Sequence, residues 1–238
     1  MNIKKIKRKI NNKFRNKSLD IDMRYIPIVK YIKKNFDEPY TILEVGSGSL
    51  GITPYIKKKI TGLDIKFEKI NSRYLKKVKG TATDIPFKNS SFDIVINVDT
   101  LEHLNKKERY EAVKEMSRVS KDKIIIAVPC GKKSEILDRY VRDLTKNNFG
   151  KIDFYIEEHI QNGLPNSGEL KGIYKKCKLK LIKVVNNYPI WLRYAGVYFF
   201  FTKNKNKIRV YYLMTMLSPL LERIRIGTPY RKIFILEK

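Results

Sequence analysis

The sequence predicts an α/β fold: a doubly wound, mostly parallel sheet of seven strands covered by helices on both faces. Three observations predict it. From residue 40 to 185, short runs rich in β-branched residues alternate with segments of helical period, the pattern left by parallel strands joined through crossover helices. Gly46, Gly48 and Gly51 follow an apolar run and open onto a helix start, where missing Cβ atoms permit a tight turn and close backbone approach to a ligand. Residues 92–98, Phe-Asp-Ile-Val-Ile-Asn-Val, are nearly all apolar, as a strand buried on both faces requires.

Along the chain, Ile3, Ile6, Ile10 and Phe14 recur at helical spacing within a tract of eight Lys or Arg and no acid, which predicts a cationic amphipathic helix over 2–16. A second helix is expected over 23–36, with Pro27 in its first turn, where an absent N–H costs nothing. The first strand is expected at 40–45, a short helix at 53–59, the second strand at 60–64, a helix at 67–78 and a brief third strand at 80–83. The fourth strand at 92–98 is followed by a charged helix at 106–119, the fifth strand at 123–128 and a helix at 132–147. Residues 150–166 read as an inserted loop, 168–177 as a helix, 178–185 as the sixth strand and 231–236 as the last. Between the last two strands, residues 188–229 form an excursion rich in Tyr, Phe, Lys and Trp191, and excursions of that length are usually structured or functional. The expected organisation is therefore a basic N-terminal helical extension over 1–37 and one domain over 38–238, with insertions at 150–166 and 188–229.

The chemistry-bearing residues lie at the strand ends. Glu44 stands two residues before the first glycine, where a carboxylate would repel a diphosphate but suits a ligand with a positive charge and an amine. Asp64 closes the second strand eighteen residues after Gly46, placed to accept from two ribose hydroxyls. At Asp84-Ile85 a carboxylate followed by a backbone N–H suits the edge of an adenine.

In order and spacing, Leu43-Glu44-Val45-Gly46-Ser47-Gly48, Gly62-Leu63-Asp64, Asp84-Ile85-Pro86-Phe87 with Ser91-Phe92-Asp93, and Leu101-Glu102-His103-Leu104 resemble the class I S-adenosyl-L-methionine-dependent methyltransferases. The likeness is strongest to the small-molecule branch typified by ubiquinone and menaquinone biosynthesis methyltransferases, and it covers roughly residues 40 to 130. One departure is Leu50, where the family often has its third glycine; here the glycine is Gly51. The resemblance implies a Rossmann-like sheet in the order 3-2-1-4-5-7-6 and S-adenosyl-L-methionine as cofactor. It also implies that Glu44 and the backbone of Gly46, Ser47 and Gly48 hold the methionine moiety, Asp64 with Ile65 the ribose, and Asp84 with Ile85 the adenine, while Asn97 lies near the donor. The family leads to O-methylation of a small molecule, a glycan or a lipid-linked precursor as the expected reaction.

Two histidines are candidates for the general base. His103 follows the fourth strand and His159 lies in the inserted segment, and an ordinary imidazole pKa near 6.5 suits proton removal. A packing or loop-fixing role fits either equally well. Pro129-Cys130 is similar to the proline-cysteine pair of cytosine C5 methyltransferases, but it follows the fifth strand instead of the fourth. The fourth strand also lacks the Asn-Pro-Pro-Tyr that holds an exocyclic amine, which disfavours amino methylation.

Charge bounds the partners. The chain carries a formal net charge of +27, and residues 171–238 hold sixteen Lys or Arg against only Glu222 and Glu237. Such a field draws polyanions, so an anionic membrane surface and, less strongly, RNA join the small-molecule acceptor as expected partners. An RNA methyltransferase and a non-catalytic membrane-surface protein are the alternative functions. Two cysteines without paired spacing argue against a disulfide framework and a zinc cluster, and no metal ligands are expected. No secretory segment is read, and the run at 210–221 is too short to span a bilayer, so the expected location is cytoplasmic, peripheral at the membrane if the basic flanks bind lipid.

Overall fold

In a computed structural model, residues 18–70 and 72–238 are described; the helix expected over 2–16 lies outside them. The strands are β1 (Ile42–Val45), β2 (Ile60–Asp64), β3 (Leu75–Lys79), β4 (Phe92–Val98), β5 (Ser120–Pro129), β6 (Lys180–Pro189) and β7 (Pro229–Glu237). They form one sheet in the order β3-β2-β1-β4-β5-β7-β6, as expected, with β7 antiparallel to both its neighbours. The helices are α1 (Leu19–Asn35), α2 (Thr53–Ile56), α3 (Lys106–Val119), α4 (Lys132–Phe149), α5 (Phe154–Asn162), α6 (Ser167–Lys176), α7 (Ile190–Phe200), α8 (Lys205–Met216) and α9 (Ser218–Leu221).

Strand periodicity builds two cores. Val95, Ile124, Ile126 and Phe234 point to the face where α3 and α6 bring Val113, Met116, Leu170 and Tyr174. Ile94, Ile96, Ile125 and Ile233 point to the opposite face, against Ile28, Val29 and Ile32 of α1. Full burial stabilises by about 1.5–3 kcal/mol per large aliphatic side chain, so the doubly covered central strands anchor the sheet. A third cluster, Leu19, Met23, Leu137, Tyr188, Leu192, Tyr211 and Tyr230, ties α1, α4, α7 and α8 together. The excursion at 188–229 is thus a helical pair plus a short turn, packed against α1 and α4.

Four expectations change. The helix expected over 67–78 does not form among the described residues: Leu75–Lys79 is β3, whose backbone pairs with Ile60–Asp64 and so satisfies β2 along an edge that would otherwise be open. The strand expected at 80–83 is instead a turn closed by an isolated bridge between Thr81 and Asp84. Within 150–166 lies α5, capped by Asp153 accepting from the Tyr155 N–H at 2.9 Å. Its buried stripe is little more than Ile156 and His159, too sparse for the period to be visible. Finally, Pro27 sits inside α1, because the helix starts at Leu19 under a Ser18 cap, four residues before the expected start.

Candidate active site

The carboxyl ends of β2, β1 and β4 lie side by side, with Val45 paired to Leu63 on one side and Asn97 on the other. This is the reversal point of a doubly wound sheet, where ligands bind. The glycine loop leaves β1 in left-handed backbone: Gly46 has φ +76°, Gly48 +54° and Gly51 +52°. A Cβ at Gly46 would strike the Thr100 side chain, and one at Gly51 would strike the Glu44 carboxylate. At Gly48 a Cβ would meet nothing within 4 Å, so that residue faces open space at the strand ends.

Loop and strand are joined by hydrogen bonds. The Gly46 and Ser47 N–H groups donate to Leu63 O at 2.8 and 3.1 Å, and the Gly48 N–H donates to Asp64 Oδ2 at 2.7 Å. Ser47 itself is buried, its hydroxyl donating to Gly48 O at 3.0 Å in the space that Gly62 leaves without a Cβ. Asp64 Oδ1 accepts from the Lys66 N–H at 3.1 Å, and Ile65 beside it is 66% exposed, an apolar wall at the loop mouth.

Glu44 is enclosed rather than facing the ligand space. Its Oε1 accepts from the Tyr25 hydroxyl at 2.9 Å and its Oε2 from the Ile52 N–H at 2.7 Å, so the carboxylate fixes the loop to α1. Burial pushes its pKa up to about 7 against the pull of those two hydrogen bonds. The Ile85 N–H, expected to meet an adenine, is also engaged: it donates to Glu115 Oε2 at 2.9 Å. Arg118 completes that strap by donating to the carbonyls of Ile85 and Phe87 at 2.8 and 2.7 Å, which leaves Asp84 exposed beside the loop. Asn97 is buried, donates to Val45 O at 2.9 Å and keeps an unpartnered Oδ1.

Just beyond β4 the chain makes a 3-10 turn, Leu101–His103, and α5 packs over it. This brings the two candidate histidines together, with ring centroids 4.7 Å apart. His103 Nδ1 lies 2.9 Å from Glu158 Oε2, and the Asn162 amide donates to His103 O at 2.8 Å. His159 Nδ1 lies 2.9 Å from Asp138 Oδ2, and Asp138 Oδ1 accepts from the Tyr230 hydroxyl at 2.7 Å. Glu102, fully buried, faces His159 Nε2 across 4.0 Å. Burial and the Asp99 charge push its carboxyl up to about 8. Burial and the neighbouring His159 hold His103 below its ordinary value, whereas Asp138 and Glu102 outweigh burial and raise His159.

Glu102 stands out in the sequence only as part of the Leu101-Glu102-His103-Leu104 motif, and Asp138, Glu158 and Tyr230 are not among the candidate residues there. A signal for Asp138 exists: it shares the buried stripe of α4 with Ser134, Leu137, Val141 and Thr145, and an acid on such a stripe needs a partner. Cys130 is buried with its thiol pushed up, which argues against a nucleophile there.

Residues 43–128, which hold the glycine loop, Asp64, Asn97 and the Glu102-His103 turn, match the family profile of the methyltransferase domain. This stretch carries a methyltransferase domain. Solved methyltransferases share the fold across nearly the whole chain. Magnesium protoporphyrin IX methyltransferase from Synechocystis PCC 6803, with bound S-adenosylhomocysteine, is 10% identical, covering 90% of this chain and 81% of that one at a TM-score of 0.57. Geranyl diphosphate C-methyltransferase from Streptomyces coelicolor, in complex with Mg2+, geranyl diphosphate and S-adenosylhomocysteine, is 10% identical, covering 89% and 77% at a TM-score of 0.54. At such identities the likeness to this methyltransferase is one of fold alone.

Proposed function

We propose that this methyltransferase transfers the sulfonium methyl group to a hydroxyl of a small-molecule or lipid-linked acceptor. The observation carrying this reading is the adjacency of two halves: the glycine loop at the end of β1, and the Glu102, His103 and His159 cluster just past the end of β4, the strand paired to β1. In the reaction the acceptor oxygen attacks the methyl carbon in line, the C–S bond breaks, and its electron pair neutralises the sulfonium to the thioether of S-adenosylhomocysteine. The hydroxyl proton leaves for the cluster and then for water. Alignment contributes several kcal/mol, and a positioned proton acceptor about 10² to 10⁴ in rate. On the donor side, Gly48 and Asp64 border the space for the nucleoside and methionine parts, and Ile65 and Asp84 border the space for the adenine. Glu44 contributes through its charge, across the loop that it holds.

A lipid-linked acceptor is favoured by an inverted helix. Leu213 and Met216 of α8, Leu217 at the junction and Leu220 of α9 are exposed, whereas Tyr211, Thr215 and Ser218 on the other side are buried. Exposed Lys203, Lys205, Arg209 and Arg223 flank the apolar stripe, and the sole acid from 190 to 230, Glu222, is buried. A second copy would bring like charge to that face; an anionic bilayer complements it. No helix among the described residues is long and apolar enough to cross a membrane.

Three measurements test the reading. Calorimetry with S-adenosylhomocysteine is expected to show one site per chain, and tritium from the donor methyl group is expected to enter a lipid extract as a base-stable product. Co-flotation with phosphatidylglycerol vesicles but not phosphatidylcholine vesicles, lost in Leu213→Glu/Leu217→Glu, checks the membrane face. Absence of S-adenosylhomocysteine binding would end the donor assignment, and equal flotation of the double variant would end the membrane one.

A further inference from the structure

We infer that Glu102, His103 and His159 form a binding site for a divalent transition-metal ion of the zinc, iron(II) or manganese(II) class. One ligand atom from each residue lies within 4.8 Å of the other two. An ion bound at about 2.0 to 2.2 Å holds its ligand atoms about 3.4 Å apart in a tetrahedron and about 4.2 Å apart across its diameter. The 4.0 Å between His159 Nε2 and Glu102 Oε1 falls inside that range. It is also too long for a hydrogen bond, so the pair does not satisfy itself.

The polar atoms facing one another here are orphans. Glu102 is 0% and His159 7% exposed, yet no side chain and no other residue's backbone donates to either Glu102 oxygen, and His159 Nε2 has no hydrogen-bond partner. Buried polar atoms without partners are scarce in native proteins and call for a cause, and a cation between a carboxylate and an imidazole satisfies all three. The outer contacts have the form that metal-ligating histidines need: Asp138, itself held by Tyr230, accepts from the Nδ1–H of His159, so that the neutral ring carries its lone pair on Nε2, and Glu158 lies on Nδ1 of His103. Two imidazoles with one carboxylate select a borderline first-row ion over magnesium or calcium, which prefer all-oxygen shells.

Three protein ligands leave a coordination position open. Resting on the methyl-transfer reading, that position suits the acceptor oxygen, whose proton is lost more readily once ligated. His103 and His159 then serve as ligands, and the proton passes to water.

The test uses untagged full-length protein stripped with dipicolinate, titrated with Zn2+ against a chelating indicator, and separately with Co2+ followed by visible absorption. One equivalent is expected to bind, Co2+ giving the strong bands of low-coordinate geometry. His103→Ala, at a partly buried position, and Glu102→Gln are each expected to weaken Zn2+ binding at least 10-fold with circular dichroism unchanged; Asp138→Asn is expected to weaken it about 10-fold. Equal Zn2+ affinity in wild type and in His103→Ala, or octahedral Co2+ spectra identical to those of the aquo ion, would overturn the site. S-adenosylhomocysteine calorimetry on the same samples separates the two readings: donor binding without metal binding overturns the metal site alone, and metal binding without donor binding overturns methyl transfer alone.

Discussion

The Gly48 N–H donates to Asp64 Oδ2 at 2.7 Å, which makes the glycine loop of β1 and the acid closing β2 one unit before any donor arrives. A carboxylate offers about four lone-pair sites, so Asp64 can keep Gly48 and Lys66 while accepting from ribose hydroxyls. Asp64→Asn removes the charge and turns half of that acceptor into a donor. S-adenosylhomocysteine affinity is expected to fall about 10- to 100-fold, or about 1.4 to 2.8 kcal/mol, with a melting shift of only a few degrees. Unchanged affinity by calorimetry would show that the ribose is held elsewhere.

Gly48→Ala separates fold from binding. Its Cβ would meet nothing within 4 Å, but φ of +54° costs a non-glycine residue about 1 kcal/mol. The variant is expected to fold, melting slightly lower, and to lose donor binding by 10-fold or more because the methyl occupies the open space. Gly46→Ala, where the Cβ would strike Thr100, is expected to lose both. Donor binding at wild-type strength in folded Gly48→Ala would move the donor away from this loop.

Glu44 predicts a pH dependence. Its folded pKa of about 7 lies above the ordinary 4.5, so the folded chain holds this proton more tightly than the unfolded chain does. The resulting stabilisation is full below pH 4.5 and is lost as pH rises through about 7, by at most about 1.4 kcal/mol per unit. A cationic donor favours the ionised form. Donor binding near pH 6 is therefore expected to release a proton, seen as a buffer-dependent calorimetric enthalpy, and Glu44→Gln should abolish it. Equal buffer dependence in the two proteins would contradict this origin.

Glu44 also marks how far the sequence was legible. Six of the seven strands are legible as apolar runs, which are local signals of long-range structure, and the sheet order follows from the family resemblance; β3, expected at 80–83, lies instead at 75–79, where Lys76, Lys77 and Lys79 break the apolar run. Helix α5 is not legible: Ile156 is its one buried apolar side chain, beside the buried polar His159, so no stripe advertises it. Nor was the engagement of Glu44 by Tyr25, nineteen residues earlier, or of Ile85 by Glu115, thirty residues later, since neither partner is set by local periodicity. His103 and His159 are singled out by type and by place, after the fourth strand and in the inserted segment; their meeting depends on α5 folding back over the turn after β4.

Arg231 and Asp99 give the last prediction. Arg231 is fully buried on β7 and grips Asp99, at the end of β4, through Nε at 2.6 Å and through Nη2. Arg24 Nε adds a contact to Asp99 at 3.0 Å, and Arg193 Nη1 lies 2.8 Å from Asp20, so two acids and three arginines share one buried network. Burial alone would raise the Asp99 carboxyl, but Arg231 and Arg24 outweigh it and hold the group below the ordinary carboxylate value. Its stabilising contribution is thus present above that ordinary value, near 3.8, and is lost as pH falls through the lower folded value. Removing one partner strands a buried charge, which costs about 3 to 5 kcal/mol, whereas replacing both with apolar residues of similar volume costs far less. Urea denaturation of Arg231→Met is expected to show that loss, and Arg231→Met/Asp99→Leu to recover most of it. A double variant no more stable than the single one would mean that Asp99 contributes through its strained backbone, at φ +47°, and not through its charge.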